Sequence, residues 1–131
     1  MKYVWDTDIC IYWLKGYEQI KEKVKEVGED SINITIITLA ELKFGAYNSQ
    51  KVKENLKVIE KFLGKMKVLN LDENSIDKYG EIKTKLRRSG ELIEDFDILI
   101  ASIVIVNNAI LVTNNVDHFK RIEELRIENW L

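Results

Sequence analysis

The apolar residues of this 131-residue chain gather in short blocks, and that grouping is what most narrows the folds open to it. Tyr3 to Trp5, Ile32 to Ile37, Val68 to Leu71 and Ala109 to Thr113 are each strand-sized, with a possible fifth block from Arg126 to Trp130. The first four are separated by stretches long enough for helices. Val52, Leu56, Ile59, Leu63 and Met66 recur at spacings of four and three, which lines one helical face, and Ile76, Tyr79, Ile82 and Leu86 do the same. The second of these helices runs into Lys85, Arg87, Arg88 and then Gly90, a C-terminal stop signal. Strands alternating with helices predict an α/β sandwich with a mainly parallel sheet, formed by one domain over residues 1–131.

Parallel sheets collect ligands beyond the carboxyl ends of their strands, so residues just after each block are the first candidates for function. Asp6 ends the first block. Burying its carboxylate unpaired would cost several kcal/mol, so it calls for a metal, a cationic ligand or hydrogen-bond donors. Glu41 follows the second block at the start of TLAELKFGA, Asp97 sits in the first turn or so of the apolar helix IEDFDILIASIVIV, and Asn115 and Asp117 follow the fourth block in LVTNNVDHF. Each also has an ordinary structural explanation. Thr38 and Glu41 fit a capping box, Asp97 with Glu94 and Asp95 complements a helix N-terminus, and Asn114, Asn115 and Asp117 suit a turn or a helix start.

Several carboxylates near successive strand ends repel one another unless a cation neutralises them. An all-oxygen set selects Mg²⁺ or Mn²⁺, and the single His118 and single Cys10 cannot build a zinc site. Asp6 and Asp97 are the expected principal ligands, and Glu41 is expected to bind metal or orient water. Asp117 or Asn115 would complete the pocket through a water or a second metal. Such a site suits phosphodiester hydrolysis by a metal-activated water.

Composition removes other classes. With 22 acidic against 20 basic residues, bulk charge announces no nucleic-acid partner, so any basic surface is local. Lys83, Lys85, Arg87 and Arg88 form the densest cluster and are candidates for RNA phosphates, or equally a solvated helix end. One cysteine forms no internal disulfide and reads as a core thiol, which with the absence of any targeting segment predicts a cytoplasmic protein. The longest apolar run, Ile98 to Val106, is far below the ~20 residues of a membrane helix. The six glycines are dispersed, so no phosphate-cradling loop is present.

Taken together, VWDTDICIYWLKG, ITIITLAELKFGA, GELIEDFDILIASIVI and AILVTNNVDHFKRIEELRIENW resemble the PIN-domain ribonucleases, most closely the VapC-type toxins of toxin-antitoxin pairs. The resemblance implies a PIN-like three-layer sandwich and a Mg²⁺- or Mn²⁺-dependent endoribonuclease. It also implies a homodimer, inhibited by a cognate antitoxin whose C-terminal segment wraps it and blocks the acidic cleft. It maps the family's first three acids onto Asp6, Glu41 and Asp97. Asp8 stands where the family more often has Asn, and Asn115 where other branches carry Asp. Two rivals remain. The DTD after an apolar strand is similar to the DxD motif of haloacid dehalogenase-type phosphatases, with Asp6 as nucleophile and Asp8 as acid and base. A catalytically inactive PIN-like module binding RNA or protein is the other.

Overall fold

The computed structural model describes residues Met1–Leu131. Five strands, β1 (Tyr3–Trp5), β2 (Ile32–Thr35), β3 (Lys67–Leu69), β4 (Ile110–Val112) and β5 (Ile127–Glu128), form one sheet in the order β3-β2-β1-β4-β5. Every pairing is parallel. The seven helices are α1 (Thr7–Leu14), α2 (Glu18–Val27), α3 (Ile36–Tyr47), α4 (Val52–Leu63), α5 (Glu73–Arg88), α6 (Asp95–Val106) and α7 (Val116–Phe119).

The helices divide between the two faces of the sheet because strand side chains alternate in direction. Tyr3 and Trp5 of β1 point into a core shared with Ile9, Ile20, Leu42, Ile59 and Phe62, contributed by α1 to α4. Val4 points the other way, into a core built with Leu86, Ile98, Ile103 and Phe119 from α5, α6 and α7. The central strands β1 and β4 are buried on both sides, which is why they read as unbroken apolar runs. Cys10 is fully buried; burial and the neighbouring Asp6 and Asp8 carboxylates push its thiol up and keep it protonated. No helix is long and apolar enough to cross a membrane.

Two local readings change. The block Ile32 to Ile37 is not all strand: the Thr35 hydroxyl accepts from the Thr38 amide at 3.1 Å and starts α3 at Ile36. The N-cap is therefore Thr35, and the capping box expected of Thr38 and Glu41 does not form. Glu41 lies in the second turn, with its side chain free for another task. Asp6, expected only as a candidate ligand, also caps α1, accepting from the Thr7 amide at 2.9 Å. The stop signal after α5 holds. Gly90, at φ +72°, donates to the Arg87 carbonyl while Glu91 donates to Leu86, a Schellman pair that needs a left-handed residue. That turn sends the chain toward α6, whose first turn carries Asp97.

Candidate active site

In this strand order the chain reverses direction of travel between β1 and β4, and the carboxyl ends of those two strands open a crevice. Trp5 pairs with Val112, so the residues that follow, Asp6 and Thr113, are neighbours across it. The Asp6 amide donates to the Val112 carbonyl at 2.9 Å, and the Thr113 hydroxyl donates to Asp6 Oδ2 at 2.7 Å. Asp6 is buried. Desolvation raises its carboxyl most, the Asp8 charge next, and Asp97 adds to both; the hydrogen bonds from Thr113 and Thr7 pull the other way, leaving it at about 7.

The other acids surround it. Asp97, at the third position of α6, is raised first by burial and then by the Glu41 charge, with His118 opposing. Glu41 Oε1 accepts from the Thr7 hydroxyl at 2.6 Å, which turns its carboxylate toward the end of β1. Asp8 Oδ2 accepts from the Asn114 amide at 3.0 Å, while its Oδ1 is buried without a partner. Burial is again the main cause of the rise in the Asp8 carboxyl. Asp6, Asp8, Glu41 and Asp97 thus share one cleft at the carboxyl end of the sheet.

This donor set fits a hard divalent cation. The donor atoms are all carboxylate oxygens, the Asp8 and Asp97 charges both raise the Asp6 carboxyl, and one buried oxygen, Asp8 Oδ1, lacks a partner. As they stand, no three acidic, thiol or imidazole side chains form a closed cage. An ion that retains several waters needs none, since one or two carboxylates suffice.

The remaining candidates divide. Asn115 lies at the start of α7 with its amide nitrogen 2.9 Å from His118 Nδ1, and that ring nitrogen stands 3.7 Å from Asp97 Oδ2. Asp117 is not drawn into the cleft; its side chain is 89% exposed and pairs with Lys120 at 3.2 Å. In the basic cluster, Lys83 binds Asp95 at 2.8 Å and Lys85 reaches Glu81 at 3.4 Å, whereas Arg87 and Arg88 are exposed. Sequence reasoning missed Thr7 and Thr113 as partners of the acids, and His118 as a neighbour of Asp97. For Thr113 the available signal was register: a hydroxyl one residue past β4 must meet the residue one past β1.

A groove of about 500 Å³ adjoins the cleft, with Thr7 and Glu41 at one end and Ile11, Leu42 and Ile59 along its walls. Through Leu14 and Val58 it continues to an apolar pocket of about 460 Å³ beneath Trp13 and Phe62, rimmed by Lys21, Lys61 and Lys65.

A parallel α/β sandwich with carboxylates gathered at its switch point is an architecture that metal-dependent hydrolases use. Residues 3–125 match the PIN domain family, and the chain belongs to that family. It is 37% identical over 132 residues to a protein of Rickettsia felis named ribonuclease VapC2, covering 99% of this chain and 98% of that one. It is 35% identical over 130 residues to a tRNA(fMet)-specific endonuclease VapC of Shigella flexneri, with the same two coverages. A crystal structure of VapBC2 from Rickettsia felis, bound to a DNA fragment from its promoter, contains a chain that superposes with a TM-score of 0.94 at 36% identity, all of both chains being covered. Neither the phosphatase nor the inactive module is favoured beside these relatives.

Proposed function

We propose that this chain is the endoribonuclease toxin of a VapBC-type pair, cutting RNA with the help of Mg²⁺ or Mn²⁺ held by Asp6 and Asp97. The observation that carries this reading is the buried Asp6 carboxylate at the switch point, crowded by Asp8 and Asp97 with no cationic side chain to balance it. When bound, the ion polarises the phosphoryl group and lowers the pKa of an attacking water. Thr7 fixes the Glu41 carboxylate so that it can orient that water and receive its proton. Thr113 and the Thr7 amide hold the two oxygens of Asp6 in place. Asp8 adds negative charge that favours the cation. Asn115 stays beside the cleft, and Asp117 takes no part in ligation.

Water attack leaves a 5′-phosphate and a 3′-hydroxyl. The name of the Shigella flexneri relative makes initiator tRNA the first substrate to assay. Purified protein with Mn²⁺ and total tRNA is expected to give discrete cuts with those ends, and Asp97→Asn is expected to lose roughly 10²–10³-fold in rate, the equivalent of several kcal/mol. A 2′,3′-cyclic phosphate at the cut would show that the RNA's own hydroxyl attacks, and the assigned roles of the acids would fall.

The partner is an antitoxin protein, consistent with the VapBC assembly of the Rickettsia felis relative. The groove leading from the lysine-rimmed pocket to Thr7 and Glu41 offers one of its segments a continuous apolar track that ends at the acids. Pairing of two toxin copies belongs to the same reading.

A further inference from the structure

Asp6 and Asp97 come from different elements, and an ion shared between them requires their separation to be held. One run of contacts spans the gap. Thr113 Oγ1 donates to Asp6 Oδ2 at 2.7 Å, and the Asn115 amide N–H donates to that same Thr113 oxygen at 2.9 Å. The Asn115 side chain then meets His118 Nδ1 at 2.9 Å, and His118 Nδ1 faces Asp97 Oδ2 at 3.7 Å. We propose that Asn115 and His118 are positioning residues, a brace through the β4–α7 turn that sets Asp97 against Asp6 and binds neither the ion nor the RNA.

Two further observations support the brace. Asparagine at a helix N-cap ordinarily spends its side chain on the helix's own free amides, but Asn115 makes no such bond and turns to His118 instead. Next to it, Asp117, the nearest acid on α7, leaves the cleft for Lys120, so the helix sends only His118 toward Asp97. A carboxylate accepts and never donates, so the imidazole faces Asp97 best with its hydrogen on Nδ1. The Asn115 amide then presents its oxygen, an exchange of its two ends that fits the same space. Partners that orient a metal-binding side chain in this way are worth about 10–100-fold in metal affinity.

The inference rests on the metal reading above, and its test separates the two. Mn²⁺ is titrated calorimetrically into ion-free wild type, Asn115→Ala, His118→Ala, His118→Asn and the double alanine variant. Each single alanine variant is expected to bind Mn²⁺ about 10–100-fold more weakly, with the melting temperature of the ion-free protein unchanged. The double variant should be no weaker than the worse single one, because both belong to one brace, and His118→Asn, whose amide nitrogen takes the place of Nδ1 and can still face Asp97, should recover most of the loss. The second readout needs no ion: at pH 8, nitrogen-15 spectra of wild type should show the His118 hydrogen on Nδ1, and Asp97→Ala, which removes the carboxylate that accepts it, should shift it toward Nε2. Unchanged Mn²⁺ affinity in His118→Ala, losses that multiply in the double variant, or a wild-type hydrogen on Nε2 would each overturn the brace. Failure of wild type to bind Mn²⁺ would instead remove the metal reading, leaving the imidazole spectra to decide the brace alone.

Discussion

Asp6 carries a conflict between folding and function that can be measured in the ion-free protein. An unfolded chain releases this proton near pH 3.8, whereas the folded one holds it to about pH 7. The folded state therefore binds the proton more tightly, so the group's contribution is most favourable below pH 4 and is lost as pH rises through 7. The gap of about three pH units corresponds to roughly 4 kcal/mol as an upper figure, shared in part with Asp8. In EDTA, wild type is expected to lose stability between pH 5 and pH 8, and Asp6→Asn to flatten that dependence while abolishing cleavage. Equal slopes for the two proteins in denaturant melts would show that Asp6 does not ionise against its surroundings. Asp6 and Asp97 were legible as candidates because a carboxylate at a strand end or in the first turn of an apolar helix stands out. His118 was not, since nothing in VDHF says which way a single turn will face, and Asp117 looked as eligible as Asn115 for the same reason.

At the scale of elements, helix ends are where sequence and structure part company. Ile36 and Ile37 are as apolar as Ile32 and Ile34, and a short apolar run gives no period to tell strand from helix. Thr35 decides the boundary by capping α3, and Glu41 is thereby released to meet Thr7. The Gly90 boundary was readable because glycine adopts a φ of +72° at the least cost. Two glycines of the same helix region then have opposite expectations. Gly90→Ala should cost about 1–2 kcal/mol from the left-handed backbone. Gly80→Ala, in the middle of α5 with open space around the added methyl, should gain about 0.5–1 kcal/mol. Urea titrations read both, and a matching sign for the two would contradict the assigned conformations.

Across the whole molecule, the alternation of strand-sized and helix-sized blocks was enough to give the parallel sandwich, because each crossover between parallel strands must return over one face. The strand order was not readable from periodicity, and the order is what places Asp6 beside Thr113. Since protons compete with the cation for these carboxylates, and the ion relieves the charge they carry once ionised, Mn²⁺ should raise the melting temperature more at pH 8 than at pH 5. At 100 times its dissociation constant the expected gain is about 2.7 kcal/mol. The same rise in Asp6→Asn and Asp97→Asn would mean that the ion binds elsewhere. The Asp6–Thr113 bond also joins residues 107 positions apart in the chain. During synthesis the first acid leaves the ribosome long before the threonine that holds it, because β2, β3 and the helices around them are made in between. Each nascent chain therefore lacks a formed cleft until β4 has been translated, and a chain stopped before β4 carries Asp6, Glu41 and Asp97 without the threonine that holds the first of them.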